Sequence, residues 1–303
     1  MEVRTLAILM TAILSVGIFG NLNIILATIR KRHLKTKIHL MVGIMSAMDL
    51  ISIGFELSSA IRMLQKVEEM PRKKCFSFLW IYLVIFDAEM FMGLAVAMDR
   101  FVAVSYPMRY QKTFSRIPIL LIIAAALILG AVPVLAAFLS LPDDIIPVCN
   151  PPLVMPKTVY FYWNGMTTML VVSIIVIYSA VFMAIKRLGK TQKNIRQLQI
   201  AKTLASTIIS YASTKVIAVC ATFIVPMFLH DHTFADTIGT YVVLLVSIEY
   251  SINYWLLLLR KDDAYRRPFI EQLGLGRFLK QQAWTSSILP KNASKSHFTL
   301  AVS

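Results

Sequence analysis

Seven stretches of this chain are each long and apolar enough to cross a lipid bilayer, and that feature decides most of what the chain can become. With a window of roughly 19 residues, the apolar runs fall near 5–29, 38–62, 76–102, 117–140, 158–185, 203–229 and 236–259. A helix needs roughly 20 residues to cross the hydrocarbon core. Inside that core every backbone N–H and C=O must find its partner within the protein, which a helix achieves on its own. The connections are short, so the expectation is one all-α bundle of seven transmembrane helices over residues 1–273, with no second domain. Composition agrees: only 16% of the 303 residues are charged and mean hydropathy is +0.69, whereas a water-soluble domain carries about a quarter charged residues. The run from Leu6 to Ile29 is too long for the core of a cleaved signal peptide, so the first span is expected to act as its own uncleaved signal.

The net charge of +15 is read by location. Basic residues stand at 30, 31, 32, 35 and 37 after the first span, at 109, 112 and 116 after the third, and at six positions from 186 to 202; eight more follow the seventh span. The opposite side holds Arg4, Arg62, Lys66, Arg72, Lys73, Lys74 and Lys157, offset by Glu2, Glu68, Glu69, Asp143, Asp144, Asp231 and Asp236. Cytoplasmic loops carry the excess of Lys and Arg, so the N-terminus is expected outside and the C-terminus in the cytoplasm. The basic loops then serve topology and attraction to anionic membrane lipid. No basic groove interleaved with aromatics suggests nucleic acid. Three cysteines without a CxxC spacing suggest no metal cluster, and no zinc, nucleophile-elbow or phosphate-loop motif suggests an enzyme or a cofactor.

After Leu259, Ala264, Phe269, Ile270 and Leu273 recur at helical spacing among basic residues. That pattern predicts a short amphipathic helix over 262–273 in the membrane interface. The remainder, 274–303, is polar and Ser-rich and is expected to be a disordered cytoplasmic tail.

At the inner end of span three the chain reads MDRFVAVSYPMRY. Asp99, Arg100 and Phe101, followed by Pro107 and Arg109-Tyr110, resemble the signature of rhodopsin-like (class A) G-protein-coupled receptors. Gly20-Asn21 in span one, Asp49-Leu50 in span two, Cys75 opening span three, Cys149 after span four, Tyr178 low in span five and Asn253 in span seven sit where that family has landmarks. More narrowly, GIFGNLNIILATI, PVCNPPLVMP and NYWLLLLR…YRRPF are similar to the nematode srsx-type serpentine chemoreceptors, over about residues 6–270. The sequence departs from the class A pattern in span six, which lacks Cys-Trp-x-Pro, and in span seven, where Asn253-Tyr254 replaces Asn-Pro and Leu257 replaces a tyrosine.

The resemblance implies a plasma-membrane receptor, with the sensory cilium among its settings, that turns binding of an extracellular small molecule or peptide into activation of a heterotrimeric G protein. It implies that Arg100 pairs with Asp99 at rest and lines the G-protein cleft when released, with Phe101, Pro107 and Tyr178 nearby. It implies a Cys75–Cys149 disulfide tying the outer loop to span three, the alternative being two free buried thiols. Such a bond contributes on the order of 4 kcal/mol in the chain-entropy account. The loop holds five prolines, 142, 147, 151, 152 and 156, and is expected to form a stiff lid.

Asn21, Asp49, Glu89, Glu249 and Asn253 are expected to form a polar core within the membrane, and the resemblance puts the last four at positions where the family surrounds a sodium ion. The family keeps one acid there and this chain has three. Lys215 in span six lies at similar depth. Ionisable groups at this depth are expensive unless paired, so Lys215 is expected to supply the cation and latch helix six to helices two, three and seven. The alternative is a lysine facing lipid or water beside protonated acids. Tyr82, Phe86, Tyr162, Trp163, Asn164 and Tyr241 are candidates for the walls of a small-molecule pocket, although an aromatic stripe at helical spacing equally serves packing. Glu56 and Asp87 are further intramembrane acids that either reach that pocket or pair internally.

Several membrane acids also suit a proton- or ion-coupled transporter. Against that reading stand the absence of an inverted repeat, the absence of a helix broken by paired Gly or Pro, and the Asp-Arg-Phe sequence. A retinal protein is disfavoured because span seven has no lysine between Asp236 and Leu259.

Overall fold

Each apolar run within the described residues is a helix, and the helices outreach the apolar runs because their polar ends project past the hydrocarbon. The computed structural model describes residues 3–65, 69–112, 117–146, 149–187, 213–214, 216–218, 220–221, 232–259 and 263–274. Six membrane-length helices occur among them: α1 (Val3–Arg30), α2 (Lys37–Gln65), α3 (Arg72–Ser105), α5 (Ile119–Leu139), α7 (Lys157–Arg187) and α8 (His232–Leu259). Most of the expected span at 203–229, Lys215 included, and residues 275–303 lie outside the described residues.

The long helix α3 is the axis of the bundle. It touches α2, α5 and α7, while α1 touches α2 and α8. On α5 the buried residues are Ala126, Gly130, Val134 and Ala137, three or four apart and therefore on one face; Ile122, Ile123 and Leu127 flank them half-buried, while Leu121, Ile128 and Leu135 are exposed. At its centre a Cβ on Gly130 would lie 2.7 Å from the Ala88 backbone N and 2.9 Å from the Val84 carbonyl oxygen, so the two helices touch backbone to backbone.

Small residues also join α1 to α8. A Cβ on Gly20 would lie 2.7 Å from Tyr254 Cβ. The room left by Gly20 is thus filled by the residue that stands where class A receptors usually have proline. Tyr254 is buried, with the Phe269 ring centroid 4.5 Å from its own.

The interfacial helix is α9 (Asp263–Gln272), close to the range expected. Tyr265 and Phe269, one helical turn apart, are buried in a cluster with Ile24, Ala27 and Leu257. Lys31 pairs with Glu271 beside it. The helix is therefore docked on the foot of α1 and α8 through Tyr265 as well as Phe269, while Leu273 is exposed.

Three short features are absent from the sequence reading. A helix α4 (Pro107–Lys112) follows α3, started by a proline whose missing N–H is unneeded at a first helical position. At the other end β1 (Met70–Pro71) pairs antiparallel with β2 (Ile145–Ile146). The helix α6 (Pro151–Val154) follows, capped by Asn150, whose Oδ1 accepts from the Leu153 N–H at 2.9 Å.

Candidate functional site

Near the C-terminal end of α3, Asp99 and Arg100 are both buried. The Arg100 guanidinium donates to Asp99 through Nη2 and, at 3.1 Å, through Nε. Two further groups converge on the same carboxylate. Lys37 Nζ, at the start of α2, lies 3.3 Å from Asp99 Oδ1, and the Tyr110 hydroxyl on α4 lies 3.3 Å from both carboxylate oxygens. Burial, and then the Asp99 charge, push the Tyr110 phenol above its ordinary 10.0, which keeps it a donor. Tyr178, on α7, is buried within reach of the Asp99 and Arg100 charges. Phe101 stands edge-on to Tyr106, ring centroids 6.3 Å apart, and packs against Val104 and Val181. Pro107 is exposed.

A run of polar groups leads from here toward the other end of the bundle. Asn253 Nδ2 donates to Asp49 Oδ2 at 3.3 Å, and Asp49 meets Glu89 through a side-chain hydrogen bond with Glu249 close by. Tyr250, one residue on, lies near Glu89, Glu249 and Tyr82. The Tyr82 hydroxyl donates to Glu56 Oε1 at 2.7 Å. Asn21 is tied separately, donating to the carbonyls of Gly17 at 3.1 Å and Tyr250 at 2.8 Å. The three acids expected in the membrane core are therefore neighbours. The fourth expected ionic member, Lys215, lies outside the described residues.

Among the six pocket candidates, three come together. Tyr82, Phe86 and Trp163 form a chain of ring contacts, 6.2 Å and 5.7 Å between centroids, and the Trp163 indole donates to buried Asp87 at 2.7 Å. Tyr162 does not join them. It is 70% exposed, because one residue along a helix turns the side chain about 100° away. Asn164 is buried and donates to the Tyr160 carbonyl of its own helix. Tyr241 belongs to a different cluster, with Leu6, Ala7 and Tyr250. Glu56 and Asp87 are buried acceptors for an aromatic hydroxyl and an indole.

The N-terminal end of α3 is fastened three times. Cys75 and Cys149 form a disulfide, Cα atoms 5.6 Å apart. Arg72 forks onto Asp144, Nε to Oδ1 at 2.6 Å and Nη2 to Oδ2 at 2.7 Å, and donates to the Leu153 and Met155 carbonyls. Its backbone N–H donates to the Asp144 carbonyl at 2.9 Å. The hydrogen bonds from Arg72, more than its charge, hold the Asp144 carboxyl below its ordinary range.

Residues 14–273 match the family of serpentine type 7TM GPCR chemoreceptors, Srsx. The chain belongs to this family. Mammalian olfactory receptors are similar to this Srsx chain over shorter stretches. Rat Olfactory receptor 1468 is 31% identical over 99 residues, 32% of each chain. Mouse Olfactory receptor 1E16 is 30% identical over 99 residues, again 32% of each. Human Olfactory receptor 4K17 is 25% identical over 148 residues, 48% of this chain and 46% of its own length. The Srsx chain thus spans about a third to a half of the curated relatives it matches. Its family and these relatives are receptors, and neither favours a transporter.

Two contributors to the inner cluster of this Srsx chain escaped sequence reasoning. Lys37 reads as one of many topology-setting charges, and Tyr110 as part of a motif without a task. Their common signal is position at helix ends on the side where Asp99 lies.

Proposed function

We propose that this Srsx protein is a plasma-membrane chemosensory receptor that converts binding of an extracellular small molecule or peptide into nucleotide exchange on a heterotrimeric G protein. The observation that carries this reading is the closed cluster at the inner end of α3, in which Asp99 holds Arg100 while Lys37 and Tyr110 hold Asp99. An arginine at a membrane boundary is costly to leave unpaired. It stays with its partner until the inner helix ends spread, and then offers a cationic floor to the Gα subunit, with Phe101, Pro107 and Tyr178 around it.

The outer ligand cavity in this reading borders Tyr82, Phe86 and Trp163, with Glu56 and Asp87 behind them. Tyr162, facing outward, plays no part in it. In the polar core, two carboxyl groups in contact within a membrane share a proton rather than hold two charges. A lysine brought to them from helix six neutralises the remainder, and Lys215 is assigned that latch. The N-terminus is outside, in keeping with the basic inner loops, and a sensory cilium suits such a receptor.

The test is nucleotide exchange on a panel of Gα proteins in membranes bearing wild-type or Arg100→Ala protein, with and without pooled odorants and peptides. Exchange that requires Arg100 supports the receptor and names its coupling class. Silence from correctly delivered wild-type protein across the panel and pools counts against it and makes ion-gradient uptake the next measurement.

A further inference from the structure

Between α3 and α5, on the side facing lipid, lies a cavity of about 620 Å³. Its walls are apolar: Phe76 and Trp80 from α3, Val134, Leu135 and Phe138 from α5, with Lys73 at the mouth. Leu135 is 59% and Phe138 63% exposed, so the cavity opens sideways into the membrane rather than into the bundle. It deepens as far as Val84 and Ala131, where the backbone contact at Gly130 closes it.

Its depth matches one leaflet. From Lys73 to Val84 a helix advances roughly 16 Å, about half of a hydrocarbon core of ~30 Å. Lys73 is at the outer end, so the leaflet is the outer one.

Its charge selects an anion. The first turn of α3 carries Arg72, Lys73 and Lys74 and no acid, at the helix end whose backbone dipole is already positive. Arg72 is committed to Asp144. Among the described residues Lys73 makes a solvent-exposed pair, Asp143 Oδ2 at 3.0 Å with the two side chains 55% and 83% exposed, and such pairs contribute little. Its ammonium is therefore available to a headgroup at the cavity mouth. The volume lies within the range of small-molecule sites and suits a single chain.

We propose that this crevice binds an anionic single-chain amphiphile from the outer leaflet, a long-chain carboxylate, with its head on Lys73 and its chain between Phe76, Trp80, Leu135 and Phe138.

Diazirine-bearing palmitic acid, cross-linked to full-length receptor in phosphatidylcholine nanodiscs, tests this. Label is expected on peptides containing 73–84 or 131–138, displaced by palmitate and not by hexadecyltrimethylammonium. Lys73→Glu, an exposed change, is expected to weaken displacement about fivefold, the size of an exposed charge contact. Ala131→Phe, with an unchanged melting curve, should block labelling by filling the crevice. Label spread evenly over all lipid-facing helices, or undiminished in folded Lys73→Glu protein, means ordinary boundary lipid and overturns the proposal.

Discussion

Lys37 Nζ on α2 stands 3.3 Å from Asp99 Oδ1 on α3, so the aspartate of the Asp-Arg-Phe sequence is held from a second helix and not by its neighbour alone. Asp99 is 4% and Lys37 14% exposed at the side chain. Removing one partner of a buried pair costs about 3–5 kcal/mol because a charge is left uncompensated. Lys37→Met is expected to raise basal nucleotide exchange, and Asp99→Asn to raise it further by loosening Arg100, Lys37 and Tyr110 together. Wild-type basal rates in both variants at normal surface density would sink the idea.

Gly20 and Gly54 form a matched pair for testing the α1–α8 contact. A Cβ at Gly20 meets Tyr254, whereas one at Gly54 meets nothing within 4 Å. Gly20→Val should lose about 1–3 kcal/mol through overpacking, read as a lower melting temperature in detergent and poorer surface delivery. Gly54→Val should stay within about 0.5 kcal/mol of wild type. Equal losses at both sites would show that the close contact does not govern stability.

The Arg72–Asp144 fork predicts acid sensitivity in the loop between α5 and α7. The folded carboxyl titrates below its ordinary value of 3.8, so its contribution is fully present above that value and fades as pH falls toward the folded one. Proteolysis of the loop should accelerate below pH 3.8, beyond what Asp144→Asn shows, since that variant lacks the titrating group. Parallel pH profiles for the two proteins would assign the sensitivity elsewhere.

Lys215→Met tests the latch to the polar core. If Lys215 neutralises the Asp49, Glu89 and Glu249 cluster, its loss raises basal exchange, and Lys215→Arg restores much of the resting state. Unchanged basal exchange with normal surface expression would remove Lys215 from the account.

The six spans seen among the described residues were legible because lipid leaves the backbone no other choice, and the Asp99–Arg100 pairing because adjacent charges at one helix end have few alternatives. Which way an aromatic faces was not legible. Tyr162 and Trp163 are neighbours of similar character, yet one is exposed and the other buried. In a membrane the outside is as apolar as the core, so the pattern that separates the faces of a soluble helix is weak here. Lys37 was missed for a related reason. Its charge marks a side of the membrane, while its partner depends on how α2 and α3 sit against each other, which spacing within one helix does not contain. The added helix at Pro107–Lys112 matters for the same cluster, since it carries Tyr110 to Asp99.

The triple fastening of α3 at Arg72 and Cys75 has a mechanical meaning. A rod clamped at one end cannot translate; pushed near its middle, it swings, and the excursion grows with distance from the clamp. Tyr82 and Phe86 stand two to four turns from the clamp and Arg100 about eight. In the proposed receptor, a small displacement at the aromatic wall would therefore arrive enlarged at the arginine, with the fastening at Arg72 and Cys75 as the fulcrum of a lever.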